Sequence, residues 1–341
     1  MEVLAMARAI VIRSNPAYER GSDQPVNTAA IEEVDEAFLG DDPVLVEVSH
    51  SSINYKDAMA LTGLPGIVRK TPLIGGIDLV GTVKESADPN WKPGDQVILN
   101  GIGMSESRNG AFSELARVPG DRLVALPESM TAARAAAIGT AGYTAALCVL
   151  RLGHAGLETT QDRPVLVTGA TGGVGSVATL LLAAAGHHVA ALTGRPGELG
   201  GYLHELGAEQ IIDRAELLDA KGALQKQRWS GVIDTVGGEV LVNALAQTVY
   251  SGTVAACGLA GSPKLPGTVM PFILRNVTLA GVDSVEAPVE ARREAWALLA
   301  ELPGERIDAI SSTVPLSGAF QAAKDLMGHR LHGRVVVDVR A

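Results

Sequence analysis

The sequence predicts an α/β chain in two parts, a β-rich N-terminal region followed by a doubly wound parallel sheet. Three observations predict this. A glycine-punctuated strand–helix–strand unit spans residues 164–195. Apolar strands and helices alternate from there to about residue 282. Before residue 130, short strands are separated by Gly/Pro/Asp/Asn turns.

The strand–helix–strand unit carries the most chemistry. Val165–Thr168 is a short apolar run, read as a buried strand. Gly169, Gly172 and Gly175 follow at GxxGxxG spacing, Val174–Ala185 reads as a helix and His188–Leu192 as a second strand. Glycine allows the tight turn and the close backbone approach that a pyrophosphate needs, and the phosphate charge meets the exposed amides at the helix start. With these flanks the spacing reads as a dinucleotide site and not as a plain buried turn.

Where an NAD site carries Asp or Glu at the end of the second strand, this chain has Thr193-Gly194-Arg195. A carboxylate would repel a 2′-phosphate, whereas a hydroxyl, a free amide and a guanidinium bind it. Charge-assisted hydrogen bonds of roughly 1.5–3 kcal/mol each bias such a site about 10- to 100-fold. The expected cofactor is therefore NADP(H), with Arg214, just after the third strand at Gln210–Asp213, as a second cation. The alternative is a pair of solvated surface arginines.

The composition bounds the rest. A chain of 341 residues suggests two domains, and 47% hydrophobic residues with 39 glycines fit a compact α/β protein. The formal net charge of −10, without a long basic run, argues against a nucleic-acid partner. Cys148 and Cys257 are expected as small buried hydrophobes and not as a disulfide or a metal pair. The start MEVLAMARAIVIRS lacks the features of a signal peptide. Ala135–Leu150 and Val177–Ala185 read as too short, or too broken by Gly and Thr, to span a bilayer. A cytoplasmic protein with no membrane partner is expected.

In chain order, strands are expected at Ala7–Ile12, Val44–Ser49, Ile77–Lys84, Gln96–Asn100, Ala116–Val118 and Arg122–Ala125. Helices follow at Ala132–Ile138 and Gly142–Leu152. Beyond the glycine unit, strands are expected near 210–213, 231–235, 252–258 and 277–282, with a helix at Gly238–Tyr250. The tail holds helices at Pro288–Leu302 and Gly318–Gly328 and a last strand, Arg334–Val339, that returns to the first domain.

This order, with the segments Ser51-Ser52-Ile53-Asn54-Tyr55-Lys56-Asp57, Gly75-Gly76-Ile77-Asp78, Gly139-Thr140-Ala141-Gly142, Cys257-Gly258-Leu259-Ala260 and Met270-Pro271-Phe272-Ile273-Leu274-Arg275-Asn276, resembles the medium-chain dehydrogenase/reductases across essentially the whole chain. Within them it resembles the zinc-free, quinone-oxidoreductase-like branch, and specifically the bacterial NADPH-dependent acrylyl-CoA reductases. The resemblance implies a GroES-like catalytic domain at 1–138, completed by 286–341, and a Rossmann domain at 139–285. It also implies a cleft between them and a homodimer joined through the edge strand near Val277–Val282.

By the same resemblance, Thr171, Gly172, Gly173 and Val174 meet the pyrophosphate. Thr193, Gly194, Arg195 and Arg214 meet the 2′-phosphate, and Tyr55, Leu259, Ile273 and Ser284 lie on the nicotinamide side. Arg334 either reaches the cleft or is a solvated arginine. Zinc alcohol dehydrogenases place Cys and Gly-His-Glu around a metal; here those places hold Asn54–Asp57 and Gly76–Asp78. Two scattered cysteines cannot build a thiolate site, and no metal is expected.

Without a metal to polarise a carbonyl, the expected substrate is already activated: the C=C bond of an enoyl thioester, with hydride to the β-carbon and a proton to the α-carbon. Asn54 and Tyr55 are the expected catalytic donors, and Asp57 is expected to position the loop or a ribose hydroxyl. The plainer reading of Asn54–Asp57 is a helix N-cap. Arg69-Lys70 and Arg108 are candidates for contacting a CoA ester. Two other functions stay open: reduction of quinones or small enones, and NADPH binding without catalysis as a sensor or structural protein.

Overall fold

In the computed structural model, which describes residues 6–159, 162–219 and 221–341, the chain begins with strands β1 (Met6–Ser14), β2 (Asn27–Asp35), β3 (Val44–Ser52), β4 (Leu73–Ile74), β5 (Asp78–Ser86), β6 (Gln96–Asn100), β7 (Leu115–Val118) and β8 (Val124–Ala125). The middle carries β9 (Val165–Thr168), β10 (Val189–Thr193), β11 (Gln210–Asp213), β12 (Trp229–Asp234), β13 (Thr248–Ala256) and β14 (Thr278–Gly281). The end carries β15 (Ser311–Pro315) and β16 (Arg334–Asp338). The first five residues of the start MEVLAMARAIVIRS, where no signal peptide is expected, lie outside the described residues.

The chain divides into two compact units. The first holds Met1–Thr140, Val285–Glu294 and Ile307–Ala341; the second holds Ala141–Ser284 and Ala295–Arg306. Residues 295–306 thus belong to the second unit, which corrects the expected assignment of all of 286–341 to the first.

In the first unit one sheet runs β15-β16-β3-β5-β6-β8, with β7 also on β3, and a smaller sheet runs β2-β1-β4. The alternation in β3 sets the layers. Val44, Val46 and Val48 face a core with Leu79, Val83, Val97, Leu99 and Val337. Leu45 faces the opposite way, toward Ala7, Val11 and Ile74. Each such side chain, once buried, contributes roughly 1.5–3 kcal/mol. The last strand, β16, closes the sheet by pairing antiparallel with β3, Val336 opposite Ser52 and Val337 opposite Ser51. β2 and β15 were not expected. β2 is mixed in burial and β15 is mostly exposed, so neither shows an apolar alternation.

The second unit is a six-stranded parallel sheet in the order β11-β10-β9-β12-β13-β14, the 3-2-1-4-5-6 order of a doubly wound dinucleotide-binding fold. β9 and β10 are buried throughout, which is why they read as unbroken apolar runs.

The two helices expected after residue 131 are one element, Ala132–His154, with a non-helical residue at Gly139 (φ 50°, ψ −160°). This corrects the reading of that stretch as too short or too broken to cross a membrane. By length and composition alone the helix is long and apolar enough, but 72% of its most apolar window is buried inside the protein. Cys148 is buried on this helix. Cys257 lies just past β13, half-buried, and its thiol donates to the Asp234 carbonyl at 3.5 Å. Both are free thiols, and a hydrogen bond to Cys257 together with burial pushes the Cys148 thiol well above the usual range.

Candidate functional site

The glycine turn after β9 is built for close approach. Gly169 has φ +60°, and a Cβ there would lie 2.3 Å from Thr235 Oγ1. A Cβ on Gly175 would lie 2.4 Å from the Gly169 carbonyl oxygen. Gly172 is the N-cap of the helix Gly173–Ala184 and supplies no side-chain acceptor. The first amides of that helix are thus left for an outside acceptor. Thr171, Gly173 and Val174 are half-buried and Gly172 is exposed, so the turn is open to a ligand. Uncapped helix amides on a glycine turn at the carboxyl end of β9 fit a pyrophosphate.

A clamp beneath the turn was not foreseen. Asp234, fully buried at the end of β12, accepts from Thr168 Oγ1 (2.7 Å) and from the Gly237 amide (2.8 Å). Thr235 Oγ1 donates back to the Thr168 carbonyl at 2.9 Å. Burial raises the Asp234 carboxyl, and the hydrogen bonds from Thr168 and Gly237 oppose that rise. The clamp fixes the carboxyl ends of β9 and β12, where ligands bind in doubly wound sheets.

The expected 2′-phosphate corner stands at the carboxyl ends of β10 and β11, whose last residues, Thr193 and Asp213, are register partners. Thr193 is buried, and its hydroxyl accepts from the Arg195 amide at 3.1 Å. The Arg214 guanidinium lies over Gly194 so closely that a Cβ there would stand 2.9 Å from Arg214 Nη2. Gly194 thereby admits Arg214 to the corner. Arg195 Nη1 is 3.6 Å from Glu198, a carboxylate that sequence reasoning did not weigh.

Of the residues expected on the nicotinamide side, Leu259 (62% exposed) rides a loop pinned to the end of β12: Gly258 packs on the Thr235 backbone, and the Gly261 amide donates to the Val236 carbonyl at 2.8 Å. Ile273 is 71% exposed on the short helix Met270–Arg275, and Ser284 is half-buried.

In the first unit, Asn54 caps the helix Tyr55–Leu61. Asp57, in its first turn, is buried; its Oδ2 accepts from the Asn54 amide (2.9 Å) and Asn54 Nδ2 (3.0 Å), and its Oδ1 from the Ile77 amide (2.9 Å). Asn54 Nδ2 also donates to Asp78 Oδ2 at 2.7 Å. Asp78 is the hub of this cluster. Its Oδ2 also accepts from Ser52 Oγ (2.6 Å). Its Oδ1 accepts from Asn100 Nδ2 (2.7 Å), the Thr140 amide (2.8 Å) and Thr140 Oγ1 (2.6 Å). Burial, and then the charge of Asp78, push the Asp57 carboxyl up to about 7 against its hydrogen bonds from Asn54 and Ile77.

Two expectations are revised here. Both N–H groups of the Asn54 carboxamide are committed to Asp57 and Asp78, so Asn54 does not offer them to a substrate oxygen; its buried Oδ1 is the atom without a partner. Arg334 does not meet solvent, which corrects its reading as a solvated arginine. It is buried, with Nε on the Ala137 carbonyl (2.7 Å), Nη1 on the Ile53 carbonyl (3.3 Å), Nη2 on Ser52 Oγ (2.8 Å) and Asp78 at 3.9 Å. Tyr55, by contrast, is 47% exposed.

Among the described residues no group of three or more His, Cys, Asp and Glu is placed to hold a metal ion. The Asp78 cluster does not fit zinc either, since its carboxylate is filled by hydrogen-bond donors and faces a buried guanidinium. Asp78 was missed as a site residue although it begins an apolar strand. A carboxylate at such a position needs partners, and that was the available signal.

Residues 40–128 match the alcohol dehydrogenase GroES-like domain family, and residues 173–302 match the zinc-binding dehydrogenase family. The chain is 47% identical over 312 residues to the probable acrylyl-CoA reductase AcuI of Escherichia coli, covering 91% of this chain and 95% of that protein. It is 45% identical over 315 residues to the acrylyl-CoA reductase AcuI of Ruegeria pomeroyi, covering 92% and 95%.

The chain belongs to the acrylyl-CoA reductase branch of the medium-chain dehydrogenase/reductases. A member of this branch is expected to share its fold with solved relatives. The YhdH oxidoreductase of Salmonella enterica in complex with NADP superposes with a TM-score of 0.92 at 45% identity, covering 97% of this chain and 99% of that one. The chain is also similar to a relative of a second name. The putative quinone oxidoreductase YhfP of Bacillus subtilis is 43% identical over 324 residues, covering 94% and 97%.

Proposed function

We propose that the chain is an NADPH-dependent reductase of the activated C=C bond of an enoyl thioester, converting acrylyl-CoA to propionyl-CoA. The observation that carries this reading is 45–47% identity, across more than nine-tenths of the chain, to two proteins named as acrylyl-CoA reductases. When bound, the nicotinamide nucleotide supplies the hydride. Thr171, Gly172, Gly173 and Val174 hold its pyrophosphate. Thr193, Gly194, Arg195 and Arg214 hold its 2′-phosphate, and Leu259, Ile273 and Ser284 flank its reactive ring.

Hydride addition at the β-carbon leaves negative charge on the thioester oxygen and calls for a proton at the α-carbon. Tyr55 holds that proton at its exposed phenol. Asn54, with its N–H groups committed, acts as an acceptor that orients a donor at Oδ1. Asp57, Asp78 and Arg334 hold the Asn54–Tyr55 turn in place. The protein is cytoplasmic and homodimeric in this reading, paired through the edge strand β14.

The likeness to YhfP, named as a putative quinone oxidoreductase, favours reduction of quinones or small enones as the second reading. Tyr55→Phe tests the first. It is expected to lower kcat on acrylyl-CoA by about 10²-fold, within the range of general-acid contributions, with NADPH affinity retained. Undiminished turnover would remove Tyr55 from the chemistry.

A further inference from the structure

A concavity lies wholly within the first unit. It is a pocket of about 440 Å³ between the short helix Glu36–Leu39, the Lys70–Leu73 segment and the loop around residues 102–109. Its polar lining is cationic in a chain of net charge −10: Lys70, Arg108 and Arg117, against Asp42 as the only carboxylate among the lining residues. Arg108 pairs with Asp42 at 3.1 Å in an exposed ion pair, and Arg117 pairs with Glu36. Among the described residues Lys70 makes no ion pair. Such exposed pairs contribute little, so a phosphate can take the place of Asp42 at Arg108.

The rest of the pocket suits a planar base. Leu39, Leu73 and Met104 are buried, and Phe38 is held at the wall by Asn109, whose Nδ2 donates to the Phe38 carbonyl (2.6 Å) while its Oδ1 accepts from the Ile74 amide (3.0 Å). Phe38 packs against the core of the first unit and lines the pocket beside these cations, and a phosphorylated purine nucleotide carries an aromatic base for such a wall and phosphates for such cations.

The cationic segments are also tied to the Tyr55 turn. The amides of Arg69 and Lys70 donate to the Glu106 carbonyl at 2.7 and 3.3 Å, and the Glu106 carboxylate takes Lys56 Nζ at 2.6 Å, one residue after Tyr55. Arg69 differs from Lys70: its side chain is 73% exposed, 3.7 Å from Glu106, and is not part of the lining.

We propose that this pocket binds the phosphorylated adenosine end of coenzyme A, with Lys70 and Arg108 on the phosphates and Phe38 on the base. This rests on the acyl-CoA reading above and names the part of the substrate that the reacting end does not engage. The long pantetheine arm of coenzyme A separates the two ends, so nucleotide and thioester are gripped by different residues.

The test is calorimetric binding of adenosine 3′,5′-bisphosphate to protein saturated with NADPH, which keeps the 2′-phosphate corner filled. Binding is expected, with affinity falling about tenfold or more in Lys70→Ala and in Arg108→Ala, as loss of a charge-assisted contact implies. Affinity is expected to hold in Arg69→Ala. Absence of binding, or undiminished affinity in Lys70→Ala, overturns the proposal. Parallel assays on acrylyl-CoA and on acrylyl-pantetheine, which lacks the nucleotide, separate the two inferences. Bisphosphate binding that depends on Lys70, with neither thioester reduced, supports the pocket and removes the reductase reading. Reduction of both thioesters with equal KM, and no bisphosphate binding, removes the pocket and leaves the reductase.

Discussion

Arg334 Nη2 stands 3.9 Å from Asp78 Oδ2, and both side chains are buried. The two residues are far apart in sequence and meet because β16 pairs with β3 while β5 pairs with β3 on its other side. Burial lowers the Arg334 pKa, and the neighbouring Asp78 and Asp57 charges raise it back toward its usual value. Removing one partner strands the other. Asp78→Ala is expected to cost about 3–5 kcal/mol in urea unfolding, far more than an ordinary surface substitution. A loss below about 1 kcal/mol, the range of exposed pairs, would show that the pair is not coupled.

Asp57 gives the fold a pH dependence opposite in sign to that of an ordinary paired carboxylate. Its folded pKa of about 7 lies above the value near 3.9 of an unfolded chain. Between those values the folded state keeps a proton that the unfolded state releases. The Asp57 contribution to stability is therefore full below about pH 4 and is lost as pH rises toward 7. The loss is on the order of a few kcal/mol. Urea midpoints at pH 5 and pH 8 check it: wild type is expected to lose stability between them by more than Asp57→Asn does. Parallel profiles would place the titration elsewhere.

Arg214 lies over Gly194, and the guanidinium of the next residue, Arg195, stands 3.6 Å from Glu198. Arg195→Ala is expected to raise KM for NADPH about 10- to 100-fold while KM for NADH moves little. An unchanged NADPH/NADH ratio of kcat/KM would place the 2′-phosphate elsewhere.

Much of the second unit is legible because its signals are local. β9 and β10 are short apolar runs, and a Cβ would strike the Thr235 hydroxyl at Gly169 and backbone at Gly175, while Gly172 stands where a helix begins. The first unit is less legible because its determinants are remote. The strand Asn27–Asp35 is an edge that pairs only with β1, and its buried residues, Asn27 and Val34, stand at its two ends and give no apolar alternation. Gly139 looks like one glycine among many. Its necessity appears only when a Cβ there is found 2.5 Å from Asp78 Oδ2 and 2.8 Å from Arg334 Nη2. The role of Asn54 was misjudged for the same reason: its family position marks it as important, but only the carboxylates of Asp57 and Asp78 show that its donors are taken.

The most direct test of the reductase reading is NADPH consumption with acrylyl-CoA and with a benzoquinone, compared as kcat/KM on one preparation. A clear preference for acrylyl-CoA is predicted. A preference for the quinone, or NADPH binding with oxidation by neither substrate, would contradict the account.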